Sequence, residues 1–193
     1  NSKDLYEKIW SFKDHGKNLN KIKSPSTSNS FRLVHDQIGT NFRLTEIQSG
    51  IGRLQLKKLD RWNFLRKRNS QILYEALNEI KLLRIPLPSK NIRHAWYKFY
   101  AYINKKFLNK DWTRERIIFE INQSGFPAFS GSCSEIYLEK CFQNLGLEPY
   151  PRLKNAKELG ETSLMFLIHP TMSVEEMHNY SKIIKKVLKK ASK

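Results

Sequence analysis

Cysteine is scarce in this chain: Cys133 and Cys141 are the whole complement of its 193 residues. Two thiols cannot build a disulfide framework and cannot alone supply a four-ligand zinc site. They read as inert packing thiols in a reducing, cytoplasmic compartment, with no metal site expected. Eight glycines and seven prolines exclude a collagen-like chain. No apolar run approaches the roughly 20 residues of a bilayer span, so no membrane partner is expected. Acidic residues are short as well, 18 against 35 Lys and Arg, for a net charge of +17. The sequence also begins at Asn1 without an initiator Met and shows no signal-peptide pattern, and it is expected to be a piece of a longer chain.

What is present argues for a folded core. Hydrophobic residues make up 39% and aromatics 12%, too much apolar surface for intrinsic disorder. The cationic surplus raises nucleic acid, an anionic membrane surface or phosphorylated ligands as partners. The densest run, Arg53 to Arg68, interleaves Trp62 and Phe64 with seven cations. One reading makes it a stand-alone basic nucleic-acid-binding module. The other, preferred here, makes Leu54, Leu59, Trp62 and Leu65 the buried stripe of a helix and the cations its solvated face. Lysines also crowd Ser181 to Lys193, where Val174, Met177, Ile184, Val187 and Leu188 recur at helical spacing, as in a terminal helix docked on its own domain.

Periodicity places the elements. Lys3 to Lys13 reads as a helix through Leu5, Ile9 and Phe12, stopped at His15-Gly16. Lys17 to Ser30 is polar and reads as an exposed loop. Thr45 and Gln48 form a capping box that opens a helical pattern running to about Ile80, with a break expected near Lys57–Asp60. Pro86 and Pro88 end the helical half. His94 to Ile103 alternates aromatic and apolar residues and reads as a strand, Asp111 to Ser124 as a helix, Phe126 to Phe129 as a short strand and Ser163 to Ile168 as a buried strand. Ser173 and Glu176 form a second capping box before the final helix. The class is α+β, a small antiparallel sheet with helices behind a long connecting helix.

One segment is specific. Ile38-Gly39-Thr40-Asn41-Phe42-Arg43-Leu44-Thr45-Glu46-Ile47-Gln48 strongly resembles a motif of the DegT/DnrJ/StrS-type sugar aminotransferases, pyridoxal-phosphate enzymes that install amino groups on nucleotide-linked keto-sugars. Trp10 to Gly16, Arg93 to Tyr97 and Leu167 to Pro170 resemble further motifs of that family, in the same order. The resemblance implies the C-terminal half of a fold-type-I transferase of the aspartate aminotransferase kind. Residues 1–44 would end the large cofactor domain, 45–81 would be a long interdomain helix and 82–193 the small domain. It also implies a homodimer with a shared active site, a nucleotide-sugar substrate and an amino-acid donor, in amino-sugar or cell-surface polysaccharide biosynthesis.

The family anchors its cofactor on a lysine within Ser-Phe-x-x-x-Lys. Here Ser11-Phe12 is followed by Gly16 at the sixth position and Lys17 one place too late. The resemblance therefore puts the lysine upstream of Asn1 and leaves no catalytic residue in this chain. Asn41, by the resemblance, reaches the cofactor phosphate from the neighbouring subunit; read alone, it is a residue at a turn before a helix N-terminus. Arg43 is either a bidentate anion ligand for substrate or a solvated, ion-paired arginine. His169 and His35 are candidate substrate contacts, each of which can equally be a hydrogen-bonded structural histidine. Ser130 to Ser134 reads as a flexible turn in the region where the family approaches substrate. Alone, the chain is expected to be inactive, not to hold pyridoxal phosphate tightly, and to expose Leu5, Ile9, Trp10 and Phe12 as a patch that invites self-association.

Overall fold

Ser2 accepts a hydrogen bond from the Leu5 N–H at 3.2 Å and opens helix α1, Lys3–Lys13. The structure, a computed structural model, describes residues 1–25 and 32–193. It divides into two units, Asn1–Lys57 and Lys58–Lys193. Among the described residues no helix is long and apolar enough to cross a membrane.

In the first unit, α1 ends where Asp14, His15 and Gly16 turn the chain, the last two at φ of 60° and 81°. The segment read as loop contains a short helix, α2, Leu19–Lys23, because the Asn18 side chain caps the N–H groups of Asn20 and Lys21. The rest of that expectation, from Ser26 to Ser30, lies outside the described residues. Helix α3, Glu46–Leu56, starts from the Thr45–Gln48 capping box with both reciprocal bonds made. Its apolar residues Ile47, Ile51 and Leu54, at i, i+4 and i+7, face outward, as do Leu5, Ile9 and Phe12 on α1, while Trp10 is half-buried. The unit buries Ser11, Asp14 and Gly16 instead.

The second unit opens with α4, Leu59–Leu77, so the expected break falls between Leu56 and Leu59. The Arg53–Arg68 run is thereby divided between two helices, and the stripe expected to be buried there is not: Leu54 is 58% and Leu59 41% exposed, with Trp62 and Leu65 half-buried. Burial begins one turn later, at Asn69, Ile72, Leu73 and Leu77, where α4 meets the sheet and the last helix.

The sheet is antiparallel in the order β1-β2-β4-β3, from β1 Leu83–Arg84, β2 Phe99–Ile103, β3 Ala128–Phe129 and β4 Ser163–Phe166. Phe99 pairs with Phe166 and Ala101 with Leu164, which puts all four on the core face. The expected strand from His94 begins only at Phe99, because the Trp96 N–H turns back to His94 Nδ1 and Trp96 takes φ 49°. Between the strands lie α5 Arg114–Gln123, α6 Lys140–Gln143 and α7 Lys154–Thr162. The last two were not legible as helices. The final helix α8, Val174–Ala191, buries Met177, Tyr180, Ile184, Val187 and Leu188; Val174, placed on that face from the sequence, is 43% exposed because it sits in the first turn, beyond the sheet. Cys133 and Cys141 are both exposed and do not pack.

Candidate functional site

Asp14 is the hub of the first unit. Its side chain is 2% exposed, although it is a carboxylate at the end of a surface helix. Arg43 grips it at two points, Nε to Oδ1 at 3.0 Å and a terminal guanidinium nitrogen to Oδ2. Lys17 Nζ lies 3.4 Å from Oδ1. The hydrogen bonds from Arg43, against the opposing effect of burial, hold the Asp14 carboxyl below the usual carboxylate range and raise Arg43 above its own.

The same place is a backbone junction. Asp14 and Asn41 form an antiparallel bridge, flanked by bonds from the Thr40 N–H to the Phe12 carbonyl (2.8 Å) and from the Phe42 N–H to the Lys13 carbonyl (3.0 Å). Gly16 and Gly39 make this approach possible. A Cβ on Gly16 would stand 1.7 Å from the Gln37 carbonyl oxygen, and one on Gly39 2.2 Å from the Gly16 nitrogen. Asn41 is left exposed at the head of the turn. Its Oδ1 accepts from the Arg43 N–H at 3.1 Å, which fixes the side chain with its amide donor free of any bond among the described residues. An amide N–H₂ held in this way suits a phosphate oxygen, so the residue present fits the phosphate end of a cofactor.

Arg43 is placed differently from a ligand-facing arginine, since its fork is committed to Asp14. His35 is exposed and pairs in an antiparallel bridge with Lys17. Asp36, next to it, ties down α2 through Asn18 Nδ2 (2.7 Å) and Lys21 Nζ (2.5 Å), which hold its carboxyl below the ordinary range.

His169 belongs to the second unit, just beyond β4. It is exposed, with Nδ1 2.8 Å from Thr171 Oγ1. Its carbonyl accepts from Asn69 Nδ2 at 2.9 Å, and Arg68 donates to the Met172 carbonyl at 2.8 Å. A fully buried asparagine on α4 therefore sets the loop that carries His169. The Ser130–Ser134 segment is no free turn. Ser163 Oγ bonds the Ser130 carbonyl, Tyr100 Oη lies 3.2 Å from Ser132 Oγ, and Gly131 packs on the Tyr100 ring. Beyond it, Glu135 receives Arg152 at 3.0 and 2.6 Å and the Tyr137 hydroxyl at 2.6 Å, which clamps the excursion between residues 135 and 152. Among the described residues no group of three His, Cys, Asp or Glu side chains gathers to hold a metal.

Sequence reasoning missed Asp14 and Asn69. Asn69 had a signal, a polar residue inside an apolar helical pattern. Asp14 had none, because its partner lies 29 residues away.

The depressed acidity of Asp14 fixes the sign of a pH effect. A lowered folded-state pKa contributes stability that is complete above the ordinary aspartate value of about 3.9 and is lost as pH falls through the depressed value. Amide exchange at Thr40 and Phe42 is expected to accelerate in an acid step at low pH. The Asp14→Asn variant should exchange fast throughout, without that step; an unchanged step in the variant would place the titrating group elsewhere.

The aminotransferase family model described as DegT/DnrJ/EryC1/StrS matches residues 1–187. The chain is similar to an aminotransferase from Psychrobacter cryohalolentis, at 41% identity and TM-score 0.90, over 99% of this chain and 50% of that one. It shares its fold with Helicobacter pylori PseC, an aminotransferase involved in the biosynthesis of pseudoaminic acid, at 22% identity and TM-score 0.79, over 98% of this chain and 47% of that one. Among curated proteins it is 25% identical over 144 residues to the erythromycin biosynthesis sensory transduction protein EryC1 of Saccharopolyspora erythraea, covering 75% of this chain and 37% of that protein. An uncharacterised protein of Methanocaldococcus jannaschii is 24% identical over 97% of this chain and 48% of its own length. The chain thus spans half or less of the relatives it matches.

Proposed function

Because this chain belongs to the DegT/DnrJ/EryC1/StrS aminotransferase family, we propose that it is the C-terminal part of a pyridoxal-phosphate-dependent aminotransferase acting on nucleotide-linked keto-sugars. The active enzyme is a cytoplasmic homodimer with shared active sites, and it draws nitrogen from an amino-acid donor. In this reading residues 1–44 close the large domain, 45–81 connect, and 82–193 form the small domain. The observation that carries the reading is the Ile38–Gln48 segment, whose Asn41 stands exposed with its amide donor available on a turn that is itself buttressed.

Pyridoxal phosphate, when bound, supplies the electron sink for moving an amino group. The residues here bind and orient. Asn41, with its amide donor available, would hold the phosphate end of the cofactor bound in the partner subunit. Arg43 and Asp14 act on that contact through position, since the guanidinium locks the turn on α1 and its backbone N–H sets the Asn41 side chain. His169, fixed through its backbone by Asn69 in the second unit, and His35 in the first are each candidate substrate contacts. The lysine nucleophile comes from the part of the enzyme that precedes this chain. Lys17 does not replace it, because its ammonium group is paired with Asp14.

Titration of pyridoxal phosphate into the full-length gene product tests the reading. Saturable binding is expected, and Asn41→Ala should weaken it about tenfold, the loss of one charge-assisted hydrogen bond. The 193-residue chain by itself should show no turnover and no lysine labelled after borohydride reduction. A full-length protein that binds no cofactor would refute the assignment, and stoichiometric labelling of the short chain would refute the placement of the lysine.

A further inference from the structure

A cavity of about 490 Å³ lies wholly within the Lys58–Lys193 unit, between the β1–β2 edge and α7. One wall is the β1–β2 edge, where Arg84 and Tyr102 pair in register while the neighbouring Ile103 turns inward. The Arg84 guanidinium lies 4.5 Å over the Tyr102 ring, which holds a planar cation against a rigid surface. The turn after β2 adds Lys105 and Lys106. The facing wall is one side of α7, which contributes Lys154 and Lys157.

Five of the eleven residues lining this cavity are cations, against 35 of 193 in the whole chain, so the concentration is local rather than a share of the diffuse surplus. Two carboxylates offset them in part. Glu161 takes Lys105 at 2.8 Å and draws Lys157 to 3.9 Å, which fixes both ammonium groups; Glu158 lies on the same wall. Arg84, Lys106 and Lys154 have no carboxylate within ion-pair distance among the described residues. Converging like charges in a concavity repel one another, and the field they produce there is focused on whatever enters.

We propose that this cavity is an anion-binding site that takes a pyrophosphate group. The three cations without a carboxylate partner converge from three elements, with Arg84 stacked on Tyr102 and the Lys106 ammonium 5.8 Å over the Phe107 ring, and the space exceeds that of a single ion. A diphosphate meets both conditions: its oxygens can span the gap between the Arg84 fork and the two ammonium groups, and its charge balances the excess. The site is distinct from the Asn41 turn, and its occupancy does not depend on pyridoxal phosphate.

Isothermal titration calorimetry of the 193-residue chain with sodium pyrophosphate, at low and moderate salt, tests it. One saturable site is expected, weakened by salt because its charges are open to solvent. The double variant Lys106→Gln/Lys154→Gln should lose about tenfold or more in affinity, from two charge-assisted contacts. The charge-matched control Lys182→Gln/Lys186→Gln, on the exposed side of α8, should change it less than about threefold, as surface charges at a distance are screened. Uridine diphosphate in place of pyrophosphate separates the sources. Equal affinity means that the phosphates alone are held, and tighter binding means that the nucleoside also finds contacts; either supports the site. Non-saturable heats, or an equal loss in the control variant, would overturn it by reducing the effect to net charge.

Discussion

Phe166→Ala is expected to cost about 3–5 kcal/mol and to unfold the Lys58–Lys193 unit in urea well before the parent. Phe166 is fully buried on β4, which is hydrogen-bonded to β2 on one side and β3 on the other. Its ring meets Phe99 at 6.5 Å and stands edge-on to Tyr180 at 6.1 Å. Truncation would leave a void between the sheet and α8 that neither neighbour can fill, as each is fixed by its own burial and the Tyr180 hydroxyl is tied to the Pro127 carbonyl. Phe129→Ala, on an edge strand and 44% exposed, should cost about 1 kcal/mol or less. A loss under about 1.5 kcal/mol for Phe166→Ala would mean that the core is not packed as described.

Gly16→Ala should be as damaging to the Asn41 turn. Gly16 sits at φ 81°, in the left-handed region, and its missing side chain is the space occupied by the Gln37 carbonyl. Alanine there strains the backbone and forces the two segments apart, at a combined cost of roughly 2–4 kcal/mol. Separation breaks the Asp14–Asn41 bridge and moves Asn41 off its fixed position, so amide protection at Thr40 and Phe42 should fall and, on the proposed role of Asn41, so should cofactor affinity of the full-length gene product. Gly50→Ala is the control. It lies inside α3 with nothing within 4 Å of the added carbon, and it should stabilise the helix by up to about 1 kcal/mol. Equal effects of the two substitutions would show that the close approach at Gly16 has no role in holding the turn.

Local rules made much of this fold legible. Both capping boxes formed as read, because an N-cap and its partner three residues on are decided within one turn of chain. The bounds of α1, a break near Lys57, the presence of strands β2 and β4, and the buried stripe of α8 apart from Val174 followed from local pattern for the same reason; which strands pair did not. The errors also have a common cause. A stripe of Leu54, Leu59, Trp62 and Leu65 has helical spacing whether or not anything covers it, and within these two units Leu54 and Leu59 are open to solvent. His94 to Tyr97 alternates like a strand, but one left-handed residue, Trp96, redirects it.

The sequence by itself determined the family, since the Ile38–Gln48 pattern is specific by residue identity and needs no contacts to be recognised. It also determined where α3 and α8 start, because a capping box is local. Tertiary structure alone decided what the recognised residues do. Asp14 and Arg43 stand 29 positions apart, and only the turn at His15-Gly16, closing against Gly39, brings the carboxylate under the guanidinium and converts a candidate ligand into the support of Asn41. Asn69 and His169 meet across 100 positions in the same way. The cations of the pyrophosphate cavity come from β1, the turn after β2 and α7, a gathering that no window along the chain contains. Hydrogen bonds and charge pairs depend on distance in space, and distance in space is set by packing rather than by order along the chain.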